Sequence, residues 1–162
     1  MKKTSVFTLV VLGLAIISAC SSSKNTGMNN MVATMQVDEP IPGVCNNSQK
    51  FVILPIFANN QVEAQATMTD KEIEAKLNAN LPFLQDKSDY KDKGMVNLIL
   101  NCKGELVRCQ IDNKTKSPEL DSQIVAVFAE MKIWTPGKIN NKPVDTAVLY
   151  SFSIENGKIT VS

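Results

Sequence analysis

Two runs of alternating apolar and polar residues, VNLILNC and LVRCQID, stand on either side of a Lys103-Gly104 pair. No other feature of the chain limits its fold as tightly. A period of 2 puts every second side chain on one face of a strand, and a glycine between two such runs marks a hairpin. With Lys103-Gly104 as a two-residue turn, Leu98 lies opposite Cys109 and Cys102 opposite Glu105. Leu98, Leu100, Val107, Cys109 and Ile111 then share the core face. Ser117-Pro118 follows as an N-cap with proline at the first helical position. Leu120, Ile124, Val127, Phe128 and Met131 recur behind it at helical spacing as an apolar stripe, which leaves Asp121, Glu130 and Lys132 on the solvated side. AVLYSFSI supplies a third strand, and ENGKITV closes as a hairpin about Asn156-Gly157. Strand, strand, helix, strand predicts an α+β layer, an antiparallel sheet packed by helices.

The preceding residues extend this unit by a β/α segment. KFVILPIF, interrupted by Pro55, reads as an edge strand or hairpin, because proline cannot donate in a central ladder. Thr69-Asp70-Lys71-Glu72 has capping-box spacing, with Ile73, Leu77 and Leu81 on one face and Pro82 as the stop. Residues 87–94 form a charged loop. WTPGKINNKPVD, at 134–145, has the glycine and lysine of a ligand loop but in the wrong place. A phosphate cradle needs glycines feeding a helix N-terminus, whereas Gly137-Lys138 comes after a helix and before a strand. The stretch is a connector, with Trp134 packing against the sheet and Asn140-Asn141 as turn residues.

The chain begins as an exported protein does. Lys2-Lys3 gives a positive start, residues 6–17 are an aliphatic run too short for a comfortable membrane span, and Ile17-Ser18-Ala19-Cys20 ends in small residues before a cysteine. This resembles the lipobox of bacterial lipoproteins, which implies a signal peptide at 1–19, cleavage before Cys20 and acylation there. Several acyl chains on one residue anchor stably where one does not. The polar, small residues that follow predict a flexible tether over 20–40, leaving one domain at 41–162. Cleavage removes Lys2 and Lys3, so 15 of the 17 basic residues face 16 acidic ones. That balance, with dispersed charge, indicates no nucleic-acid partner.

Three cysteines remain in an oxidising compartment. On opposite arms of the hairpin, Cys102 and Cys109 stand on the order of 13 Å apart, too far for a disulfide. Cys45 is then the partner of Cys102 or, as the alternative, of Cys109. No metal site is expected, since there is neither histidine nor a close-spaced cysteine pair. The absence of histidine also removes the commonest general base and every Ser-His or Cys-His arrangement. Tyr150 reads as an amphipathic strand residue, and no catalytic residue, cofactor or enzymatic activity is expected.

Residues 96–154 resemble the C-terminal domain of TonB and TonB-like proteins of bacterial envelopes, the like part spanning about 94–160. The shared features are the strand into Gly104, the return strand, the helix from Leu120-Asp121, and Trp134-Thr135-Pro136-Gly137 with Asn141-Lys142-Pro143-Val144 leading into a last strand. The resemblance implies a β-β-α-β core and binding by strand addition, in which main-chain hydrogen bonds give the affinity. The chain departs from TonB in lacking a permanent inner-membrane helix and a long proline-rich spacer, so energy transduction is not implied. The expectation is a non-catalytic interaction module, lipid-anchored in the envelope at the outer membrane and facing the periplasm. It would bind an envelope partner or itself through the edge Val148, Leu149, Tyr150, Ser151 and Phe152. The alternative is a spacing lipoprotein without a peptide ligand.

Overall fold

The computed structural model describes residues 32–46, 49–53, 60–131 and 134–162. Cys20 with the rest of the leader, Pro55 and Lys132 lie outside the described residues. In chain order the elements are β1 (Ala33–Gln36), β2 (Lys50–Ile53), β3 (Gln61–Val62), β4 (Gln65–Ala66) and α1 (Asp70–Ala79). A 3₁₀ turn at Pro82–Leu84 leads to β5 (Asp92–Leu100), β6 (Leu106–Asn113) and α2 (Pro118–Ala129). Then come β7 (Trp134–Thr135), β8 (Lys138–Ile139), β9 (Lys142–Pro143), β10 (Thr146–Glu155) and β11 (Lys158–Val161). No described helix is long and apolar enough to cross a membrane.

Both helices start where their caps dictate. Thr69 and Glu72 form the reciprocal capping box, the Thr69 N–H donating to Glu72 Oε2 at 2.8 Å. The Ser117 hydroxyl accepts from the Leu120 N–H, and Pro118 occupies the first turn, where its missing donor costs nothing. Ile73 and Leu77 of α1 and the four apolar residues Leu120, Ile124, Val127 and Phe128 of α2 point into one core. Leu81 is buried just past the end of α1, and Pro82 begins a 3₁₀ turn rather than merely ending the helix.

The main sheet runs β1-β2-β10-β5-β6, with β11 also paired to β10. β10 lies antiparallel to β5 from Thr146 to Ile154, and β5 to β6. One contact departs from the expected antiparallel sheet: β2 joins the start of β10 in parallel, at Val52 and Ile53. Some ninety residues separate these strands in the chain, ample for the crossover a parallel pair requires. KFVI is therefore an inner strand, held by β1 on one side and β10 on the other. The helices cover one face, over Val96, Leu98, Leu100, Phe152 and Ile154. The opposite face carries a second cluster of Val37, Ile41, Phe51, Ile99 and Ala147.

That second cluster corrects the tether. Residues 33–40 do not hang free: β1 pairs with β2, and Val37 and Ile41 are buried. The polar run ends at Asn30, and Met35, Val37 and Ile41 then cover the back of the sheet. The hairpin is corrected as well. Only Gly104 of the Lys103-Gly104 pair has positive φ, so a two-residue turn with both residues left-handed does not form. Asn101 closes a longer turn, its N–H donating to Glu105 O and its carbonyl accepting from Gly104. Leu98 does face Cys109, but Leu100 faces Leu106 across a register shift. The shift turns Val107 to the opposite face, where it packs on the second cluster, and Leu106 joins the helix-side core in its place.

Asp145 fastens three pieces of chain. Its Oδ1 accepts from the backbone N–H of Cys45 at 3.1 Å and of Cys102 at 2.9 Å, and its Oδ2 from Asn46 at 2.7 Å. Beside it, Cys45 and Cys102 form a disulfide with a Cα–Cα distance of 5.9 Å, which selects Cys102 over Cys109 as the partner. The bridge spans 57 residues of sequence, worth about 4 kcal/mol in the chain-entropy account. Asp145→Ala strands three donors and should lower the urea-unfolding free energy by about 3 kcal/mol or more. Cys45→Ser with Cys102→Ser should lower it by a similar amount. The double loss should be less than additive, because both ties hold the same segments.

Asp92 sets an acid limit to stability. Burial works against its ionisation, but hydrogen bonds from the Lys116 N–H, the Tyr90 hydroxyl and the Lys93 N–H outweigh it and hold its carboxyl below the usual range. The folded value lies below the unfolded one, so its contribution is full above about pH 4 and is lost as pH falls through the folded value. Asp92→Asn should therefore lower stability at pH 7 and flatten the acid limb, as read by urea midpoints from pH 7 to 3.

Candidate functional site

Strand addition needs an edge whose backbone N–H and C=O groups point outward and unpaired. The expected edge, Val148 to Phe152, is open only in part, on one side around Leu149, between the end of β2 at Ala147 and the start of β11 opposite Ser151. It lies in the middle of β10, with β5 along its whole length on one side. On the other side Phe152 pairs with Val161, and Ser151 exchanges two hydrogen bonds with Ser162, at 3.1 and 2.9 Å. Backbone groups alternate direction along a strand, so Ser151 facing β11 means that Leu149 also faces away from β5. Leu149 is 39% exposed and borders a cleft of about 460 Å³ lined by Glu63, Met68, Asp70 and Ser162. Tyr150 points the other way, between the rings of Phe128 and Trp134 at 5.5 and 6.0 Å. Burial, with the Asp70 and Glu63 carboxylates adding to it, pushes its hydroxyl up to about 12.

The remaining edges differ sharply. The outer edge of β11 is sealed by side chains of α1. Asn78 donates its amide to Ile159 O at 2.8 Å and accepts from the Ile159 N–H at 3.0 Å, and Glu74 accepts from Val161. Those contacts reproduce what a neighbouring strand would supply. β1 is only four residues long. β6 is eight residues long, and no described segment pairs with its outer side.

The pairing fixes what this edge presents. Val96, Leu98 and Leu100 turn their backbones toward β10, so Asn97 and Ile99 bond to Gln110 and Arg108 of β6. Cys109 and Ile111 consequently direct their N–H and C=O groups outward. Their side chains lie on the helix side, the Cys109 thiol 3.7 Å from Val125 O. Arg108, Gln110 and Asp112 lie on the other face and line a cleft of about 480 Å³ with Met35, Asp38 and Asn97. Arg108 Nε donates to Gln110 Oε1 at 2.9 Å. Asn97 is 2% exposed and donates to Met35 Sδ at 3.1 Å.

Other residues singled out from the sequence have structural duties. Asp121 is buried rather than solvated, because its carboxylate accepts from the Thr115 N–H and holds the loop that enters α2. Glu130 is on the surface, 2.8 Å from Lys76 Nζ. Trp134 is buried, its ring N–H donating to Met131 O and its backbone N–H to Gly104 O at 3.0 Å. A Cβ on Gly104 would meet Trp134 O, and the φ of +81° is one that side chains resist, so glycine is required at the hairpin tip. The rest of the connector is a small hairpin of β8 and β9 turning on Asn140 and Asn141, both at positive φ. Cys45, Cys102 and Asp145 converge within 4.8 Å, yet the sulfurs are bonded to each other and the carboxylate already accepts three N–H groups. That spends the donors a metal would use.

No family model matches the chain, nor does any curated protein or solved structure. Cys109 is the one free cysteine among the described residues, and burial pushes its thiol up to about 11. Since the thiolate is the nucleophile, alkylation of Cys109 by iodoacetamide at pH 8, followed by peptide mapping, should run at least about tenfold slower than in the urea-unfolded chain.

Proposed function

We propose that this protein is a lipid-anchored envelope protein whose α+β domain, of TonB-like type, binds a partner without catalysis by adding the partner's strand to a sheet edge. The observation that carries this reading is the outer side of β6, eight residues long and unpaired by any described segment, on a sheet whose β11 edge is closed by Asn78 and Glu74. Main-chain hydrogen bonding from such an edge supplies affinity, and the side chains on each face supply selectivity. The sequence of elements β5, β6, α2 and β10 agrees with the β-β-α-β order that the resemblance implies. The binding edge moves from β10 to β6. The anchor is Cys20, with the domain held at the outer membrane on its periplasmic side, and no cofactor is needed.

Proline at Ile111 removes an N–H that the sheet itself does not use, whereas alanine there trims the same side chain and keeps the N–H. Cross-linking in intact cells, read by mass spectrometry, should show a partner that survives Ile111→Ala and is lost in Ile111→Pro. An identical partner set in both variants defeats the edge assignment. Cys20→Ser should move the protein from the membrane pellet to the soluble envelope fraction, and a variant that stays with the membrane refutes the anchor.

A further inference from the structure

Resting on the strand-addition reading, we infer that the strand taken by β6 is β6 of a second copy of this chain, paired antiparallel about a two-fold axis through Gln110. The argument is one of register and charge. Two copies can pair only through residues whose backbones face outward, here Cys109 and Ile111. They are flanked by Arg108 and Gln110, which face β5, and by Asp112, the extra residue at the register shift, whose side chain lies with theirs on the helix-free face. A two-fold axis through Gln110 sets Cys109 of one copy opposite Ile111 of the other, joining outward-facing residues in a hydrogen-bonded pair on each side of the axis. The same register sets Arg108 opposite Asp112 of the partner copy, twice, on the helix-free face.

Neighbouring registers lack this match. Centring the axis on Cys109 sets Arg108 against Gln110 and leaves Asp112 opposite Leu106. Centring it on Ile111 brings Arg108 against Lys114, like against like. Within one chain Arg108 and Asp112 have no mutual contact, being four residues apart on a strand. The Arg108 guanidinium uses its Nε on Gln110 and keeps its terminal nitrogens for a carboxylate. On the helix side the facing residues, Cys109 and Ile111, are partly buried apolar side chains that already pack against the core. The irregularities fall at Val107 and at Asp112, confining the regular ladder to residues 108–111, with Asp112 at its end. The pairing is isologous, so one contact satisfies both edges.

The test uses the full-length lipoprotein in detergent micelles. Light scattering after size exclusion should give a dimer for the natural chain. Arg108→Asp and Asp112→Arg should each weaken it by about tenfold or more, since each places like charges opposite one another. Mixing these two variants should restore association as a heterodimer, and the double swap should restore the homodimer. On a Cys109→Ser background, Gln110→Cys lies on the axis and should form an intermolecular disulfide on mild oxidation. Arg108→Cys, displaced from its own copy, should not. A monomer at all concentrations, or charge reversals with no effect and no linkage at position 110, overturns the self-pairing. If that happens while Ile111→Pro still loses its cellular partner, strand addition stands with a different partner. If Ile111→Pro loses nothing, the edge assignment itself has failed.

Discussion

The carboxylate of Asp145 is the joint on which the sheet depends. It sits at the entrance to β10 and takes hydrogen bonds from the segment before β2 and from the turn between β5 and β6. Its own carbonyl accepts from Val52, so one residue also begins the parallel contact that brings β2 into the sheet. Apart from that joint, the backbone contact between the β1–β2 pair and β10 is a two-residue ladder. The disulfide repeats the same connection covalently, from Cys45 to Cys102. The two ties differ in physical kind: one limits the unfolded chain, while the other satisfies donors that folding withdraws from water.

From that joint outward the architecture follows from two apolar faces on one sheet. The helix side is the larger, because α1 and α2 each bring a full stripe to it. The second face needs only the N-terminal segment, whose Val37 and Ile41 close over Ile99 and Ala147. A strand buried on both faces reads as a near-continuous apolar run, and the Val96 to Leu100 part of β5 does so, with Asn97 the one polar side chain.

Much of this was legible in the residues. Thr69 with Glu72, Ser117 with Pro118, and Asn156 with Gly157 are local signals whose chemistry acts within four residues, and each formed as its sequence predicts. Leu98 lies opposite Cys109 as the sequence predicts, but by a different route: the extra residue at Val107 offsets a turn one residue longer than the expected one. What was not legible depends on distant pairing. Nothing in AVLYSFSI announces that Ser151 will be met by Ser162 or that β2 will arrive in parallel, so the sequence alone presents β10 as an edge. Asp121 and Asp145 look like ordinary surface carboxylates until the loops they hold are in place. A signal for the open edge does exist in LVRCQIDN: polar or charged side chains on alternate positions, Arg108, Gln110 and Asp112, as edge strands carry. The fold class was thus within reach of the sequence, while the identity of the open edge required knowing the order of strands.

The sealing of β11 by Asn78 has a consequence for a population of such molecules. Proteins tethered to a bilayer are concentrated in two dimensions, where even weak lateral contacts are met again and again. Extended sheet growth in that setting needs each molecule to offer two adhesive sides, one to receive and one to pass on. An asparagine amide acting as a mock strand turns one side into a dead end, and β1 is too short to replace it. Under the proposed anchoring, a crowded membrane surface carries many copies of this chain with their contacts ending where they begin, because two side chains on α1, Asn78 and Glu74, withhold the second adhesive side.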